Sequence, residues 1–146
     1  MGKLKGKESK IVIEGKADLK PACSSDQYPS FSFRYLTQSR KYNLYGLEPG
    51  RAREEIYDAL TRKLGERSSR SWLDWGQLRR EKGFETIPYG QIRFQANDAS
   101  LLSSDSKIIV FRFNSDNMRI LGYKKSPCAV FYIIGFDFDF SAYDHG

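Results

Sequence analysis

The chain is short of the residues that staple, ligate or anchor. Its two cysteines, Cys23 and Cys128, stand far apart with no CxxC pair, so the sequence spells neither a disulfide framework nor a thiolate metal knuckle. Both are expected to be reduced, in a cytoplasmic protein. A single histidine, His145, leaves no HExxH helix, and the chain has no P-loop, dinucleotide fingerprint or Gly-x-Ser-x-Gly elbow. No cofactor is implied. After the charged head MGKLKGKESK comes only the apolar run Ile11-Val12-Ile13, too short for a signal-peptide core or a membrane span. Gly2 does not begin a myristoylation motif, because Gly6 stands where Ser or Thr is required. No membrane partner is expected, and no internal repeat is visible. Acid is also in deficit: 18 Asp and Glu face 24 Lys and Arg, for a net charge of +6. A field of that sign favours polyanions, nucleic acid first, or an acidic protein partner.

What the chain does have is enough apolar material for a core, 40 % hydrophobic with 14 % aromatic. Residues 1–27 read as a Lys-rich, partly flexible arm with one short alternating stretch, Lys10 to Glu14, and residues 28–146 as a single α+β domain. The clearest stretch is the last third. Lys107 to Phe113, Met118 to Tyr123 and Ala129 to Phe140 are rich in Val, Ile, Phe and Tyr and are separated by NSDN and KKSPC. Links this short favour an antiparallel meander over crossovers.

Upstream, Phe31 to Leu36 alternates with period two, and Lys41 to Leu47 is expected to return as the second arm of a hairpin. Ile56, Leu60 and Leu64 fall at i, i+4 and i+8 and predict a helix from Arg51 to Gly65. Ser71 followed by Asp74 resembles a capping box and predicts a second helix from Trp72 to about Lys82, with Trp72 and Trp75 facing the core. The two would form a helical hairpin packed on one face of the sheet. Pro88, Gly90, Ile92 and Phe94 suggest one more strand, Gln91 to Gln95.

The helices carry Arg51, Arg53, Arg62, Lys63, Arg79, Arg80 and Lys82, a candidate ridge for a phosphate backbone. Glu54, Glu55, Asp58 and Glu66 interleave with them, so pairing along a solvated face explains the same pattern. In the meander, Arg112, Arg119, Tyr123, Asp137, Asp139, Tyr143 and His145 sit among apolar neighbours. Asp137 and Asp139, two apart on an expected strand, would share a face. With His145 they make too thin a set to predict a metal, and acids that blunt a sheet edge explain them more simply.

The order of elements, the SWLDW helix, the FETIPYGQI link, the phrases Ile109-Val110-Phe111-Arg112-Phe113 and Met118-Arg119-Ile120-Leu121-Gly122-Tyr123, the strand Val130 to Phe136 with its closing Asp, and the tail Tyr143-Asp144-His145 together resemble the RelE/ParE superfamily of small toxins over residues 31–146. The resemblance implies a RelE-like sheet and metal-independent RNA cleavage by attack of a ribose 2′-OH on the adjacent phosphate. It also implies RNA or a ribosome as target and an antitoxin or other acidic protein as partner. Under it Arg119, with Arg112 second, would meet the charge on the phosphorane. His145 would act as base or acid, and Tyr143 or Tyr123 would stack or share the proton. The alternative is a non-catalytic binding module using the same basic surface. The Lys-rich head and the acidic FDFDF run depart from the family pattern.

Overall fold

The computed structural model describes residues 27–80, 82–114, 117–125 and 128–145. All but Gln27 of the expected basic arm, the Lys10 to Glu14 stretch included, lies outside these residues. The architecture is α+β, built on a mixed sheet of five strands. Its centre is the expected meander: β3 (Lys107–Phe113), β4 (Met118–Tyr123) and β5 (Val130–Asp137), paired antiparallel in sequence order. Two short edge strands complete the order β1-β5-β4-β3-β2: β1 (Ser30–Ser32) runs parallel to β5, and β2 (Glu85–Pro88) antiparallel to β3.

Apolar side chains on both faces of the central strands explain why both are covered. On the first face, α1 (Arg51–Arg67) and α2 (Trp72–Gly76) set Ile56, Leu60 and Trp72 against Ile109, Phe111, Phe113, Ile120, Phe131 and Phe136. Each fully buried phenylalanine there contributes roughly 1.5–3 kcal/mol relative to exposure. The Ser71 cap forms as expected, its hydroxyl accepting from Asp74 N at 3.2 Å. The helix it opens, however, ends after Gly76, well short of Lys82. A tertiary contact accounts for this: Arg67 is buried between the Trp75 and Phe111 rings and donates to Lys82 O at 2.6 Å, holding residues beyond Gly76 out of helical register.

The second face carries Ile108, Val110, Leu121 and Ile134, and irregular chain rather than helix covers it, through Tyr42, Phe94, Ala96, Ala142 and Tyr143. Here two sequence expectations are corrected. The hairpin of residues 31–36 and 41–47 does not form; Arg40–Tyr42 and Leu44–Gly46 are 3-10 turns instead. Thr37 N donates to Ile134 O, a tertiary bond, and the Asn43 side-chain amide to Thr37 O within the loop, and these replace the ladder that alternation suggested. The strand expected at Gln91 to Gln95 lies earlier, at Glu85–Pro88, where a proline lacking an N–H is tolerated on a sheet edge.

One irregularity in β5 decides which side chains meet at the end of the sheet. Leu121 pairs with Gly135 but Gly122 pairs with Ile133, leaving Ile134 as an extra residue in β5. Ile133 points to the first face, and strict alternation would send Asp137 there as well. The bulge instead places Phe136 on the first face and Asp137 on the second. Glycines flank this bulge for steric reasons. A Cβ at Gly122 would stand well inside contact distance of the Phe131 ring on the first face, and one at Gly135 would do the same to the Phe94 ring on the second. Near the β4–β5 link, Cys128 is disulfide-bonded, which corrects the expectation of reduced thiols. Cys23, the other cysteine, lies outside the described residues.

Candidate functional site

β5 stops at Asp137 because its carboxylate takes over the next backbone donors. Oδ1 accepts from Asp139 N at 3.3 Å and Ser141 N at 3.0 Å, and Oδ2 from Ala142 N at 3.2 Å. A carboxylate bonded to backbone N–H groups a few residues on folds the chain into a local turn. Phe140, at φ 62°, completes the reversal in the left-handed region, a strained choice for a bulky residue. Residues 138–145 therefore double back over the second face, tied also by Arg93 N donating to Ala142 O at 2.8 Å and the Arg93 guanidinium to Ser141 O at 3.1 Å.

This reversal brings side chains together from four strands and the tail. Arg119 on β4 stands in register with Asp137 on one side and with Arg112 of β3 on the other. It is 5 % exposed, lies 4.9 Å from the Phe140 ring and donates to Met118 O. His145 Nε2 lies 3.4 Å from Asp137 Oδ2, and its ring packs 4.1 Å from Tyr143 and 4.9 Å from Phe140. The Tyr143 hydroxyl donates to Glu85 Oε1 at 3.1 Å, and Glu85 Oε2 is 3.9 Å from Arg80. Burial, reinforced by the Glu85 charge and partly offset by Arg119, pushes the Tyr143 phenol up to about 12. Tyr143 therefore stays protonated through neutral pH.

Like charges directly opposite on adjacent strands repel, so the Arg112–Arg119 pair needs anionic neighbours. Asp137 supplies one beside Arg119. Arg112 is half-buried, and its Nε is buried with no hydrogen-bond partner among the described residues.

Of the sequence candidates, Arg112, Arg119, Tyr143 and His145 thus meet at one end of the second face. Tyr123 does not. It shares the face but pairs with Ile108 and Tyr132, four residues from Arg119 along β4, about 13 Å by strand rise. The helical cations are separate as well: α1 packs on the first face, so Arg51, Arg53, Arg62 and Lys63 lie across the sheet from the cluster. Most are matched locally, Arg51 with Glu55, Arg62 with Asp58 and Lys63 with Glu66, while Arg53 lies against the Tyr57 ring. Arg79 and Lys82 are exposed, and Arg80 alone of this group reaches the cluster, through Glu85.

Asp137 and Asp139 do not share a strand face. Asp139 lies beyond β5, exposed, where the Ser141 hydroxyl bonds to it and holds its carboxyl below the usual range. Sequence reading missed Glu85, Arg93 and the organising role of Asp137. The Asp-x-Asp-x-Ser spacing of Asp137, Asp139 and Ser141 carried the turn signal that would have found the last of these. No family model, curated protein or solved structure matches the chain.

Proposed function

We propose that the chain is a metal-independent endoribonuclease with a RelE/ParE-like sheet, held in check by an acidic antitoxin. One observation carries the reading: two arginines, a tyrosine held protonated and a histidine backed by a buried carboxylate gather at one end of a single sheet face. Cleavage by a 2′-OH needs a base for its proton, a cation for the phosphorane and an acid for the leaving 5′-oxygen. His145 is suited to the first task, since Asp137 engages Nε2 and leaves Nδ1 to accept the proton. Tyr143 is protonated at neutral pH but gives its only O–H to Glu85 Oε1, so the leaving 5′-oxygen is suited to take its proton from His145 after His145 has received that of the 2′-OH.

Exposure reverses the order of the two arginines given by the sequence phrase. Arg112 is the better placed to meet phosphate with its planar fork, and Arg119, 95 % covered by its neighbours, acts as the charge behind it. His145→Ala and Arg112→Ala are each expected to lower RNA cleavage by roughly a hundredfold or more, whereas Arg112→Lys recovers only part. Wild-type protein that leaves RNA intact, or His145→Ala as fast as wild type, rejects the proposal. RNA as substrate implies action in the cytoplasm, where thiols are kept reduced. Cleavage is accordingly expected to survive reduction of the Cys128 disulfide.

Burial of Arg119 and Tyr143 favours a second reading, a non-catalytic module that binds nucleic acid or an acidic protein through the same cations. It expects salt-sensitive affinity with no turnover.

A further inference from the structure

On the first face, away from the arginine cluster, an apolar cavity of about 500 Å³ opens between α2 and strands β2 and β3. Trp72, Leu73, Phe84 and Ile109 form its walls, and Lys107 and Lys124 stand at its edge. The Trp72 indole is fixed, its N–H donating to Ala129 O at 2.7 Å. Leu73 remains 48 % exposed, an apolar side chain with room beside it. Lys107 opens β3 and Lys124 directly follows β4, so two cations from adjacent strands reach the same cavity. No residue lining the cavity is acidic, and neither lysine forms an ion pair among the described residues. Lys124 lies 5.3 Å from the Trp72 ring, and burial pushes its ammonium below the ordinary range.

We infer that this cavity is a binding site for a small amphipathic carboxylate, its apolar body against Trp72, Phe84 and Ile109 and its carboxylate between Lys107 and Lys124. The volume lies in the range of small-molecule sites, and the chemistry is of the usual kind, apolar walls with a few convergent charged groups. An anion placed there would meet two cations that form no ion pair among the described residues, while its chain covers Leu73. Residues 1–26 are a poor occupant by charge, because lysines outnumber acids in them.

The test is calorimetric titration of the full chain with decanoate below its micelle concentration, with decanol as the neutral control. Decanoate is expected to bind with a sub-millimolar dissociation constant, at least about tenfold tighter than decanol, and to raise the thermal midpoint. In Lys107→Gln/Lys124→Gln that preference should fall to within about twofold. The double variant should itself melt within a few degrees of wild type, since neither lysine forms an ion pair among the described residues, and this separates lost binding from lost fold. RNA cleavage by the double variant should match wild type. Equal binding of decanol and decanoate, no binding of either, or binding of an acidic peptide where decanoate fails would overturn the assignment.

Discussion

At the scale of single residues, Asp137 does two jobs with one carboxylate. It receives three backbone N–H groups that close the C-terminal reversal, and it lies beside His145. Asp137→Ala leaves those donors unsatisfied in a buried setting and is expected to cost about 2–4 kcal/mol, read by urea denaturation. Asp137→Asn keeps one acceptor oxygen and should cost clearly less, while still removing the charge behind His145. Tyr143 gives a prediction in pH. Its folded-state phenol is raised to about 12 from the ordinary value of 10.0, so between those values the folded chain holds a proton that the unfolded chain has released. That contribution is fully present below pH 10 and is lost as pH rises toward 12, on the order of 2 kcal/mol in all. Tyr143→Phe cannot titrate, so its unfolding free energy should fall less steeply than that of wild type across the same window. Parallel curves for the two proteins would contradict the assignment.

At the scale of elements, the β5 bulge decides which side chains share a face. Gly122 and Gly135 let aromatic rings approach the backbone on opposite sides of it. A methyl at Gly122 would collide with the fully buried Phe131 ring, so Gly122→Ala is expected to destabilise by about 1–3 kcal/mol in urea denaturation. Elements governed by local pattern were legible in the sequence: the bounds of β3 and β4, the apolar stripe of α1 and the Ser71 cap. Those that failed were decided by contacts distant in sequence. The Phe31 to Leu36 alternation reads as a strand, yet only Ser30–Ser32 pairs with β5, and Phe33 is left exposed. The length of α2 was lost in the same way, to Arg67 bonding the Lys82 carbonyl. The bulge was not legible either, because one inserted residue leaves the apolar run of β5 unchanged in composition.

At the scale of the whole molecule, the sheet keeps two chemistries apart. The first face carries α1, α2 and the lysine-edged apolar cavity; the second carries irregular chain and, at one end, the arginine, tyrosine and histidine cluster. Net positive charge was legible from composition, but its division was not, because Arg51, Arg62 and Lys63 of α1 are matched locally while Arg112 forms no ion pair among the described residues. Losses of RNA cleavage are therefore expected to concentrate on second-face residues, and Arg51→Ala or Arg62→Ala to change it by no more than about twofold. The most direct measurement is of the RNA ends left by the purified protein in excess EDTA. Fragments bearing 2′,3′-cyclic phosphate and 5′-hydroxyl ends, formed by wild type and absent with His145→Ala, are the predicted result. Intact RNA, or fragments with 5′-phosphate ends, would contradict a metal-independent 2′-OH attack at this cluster.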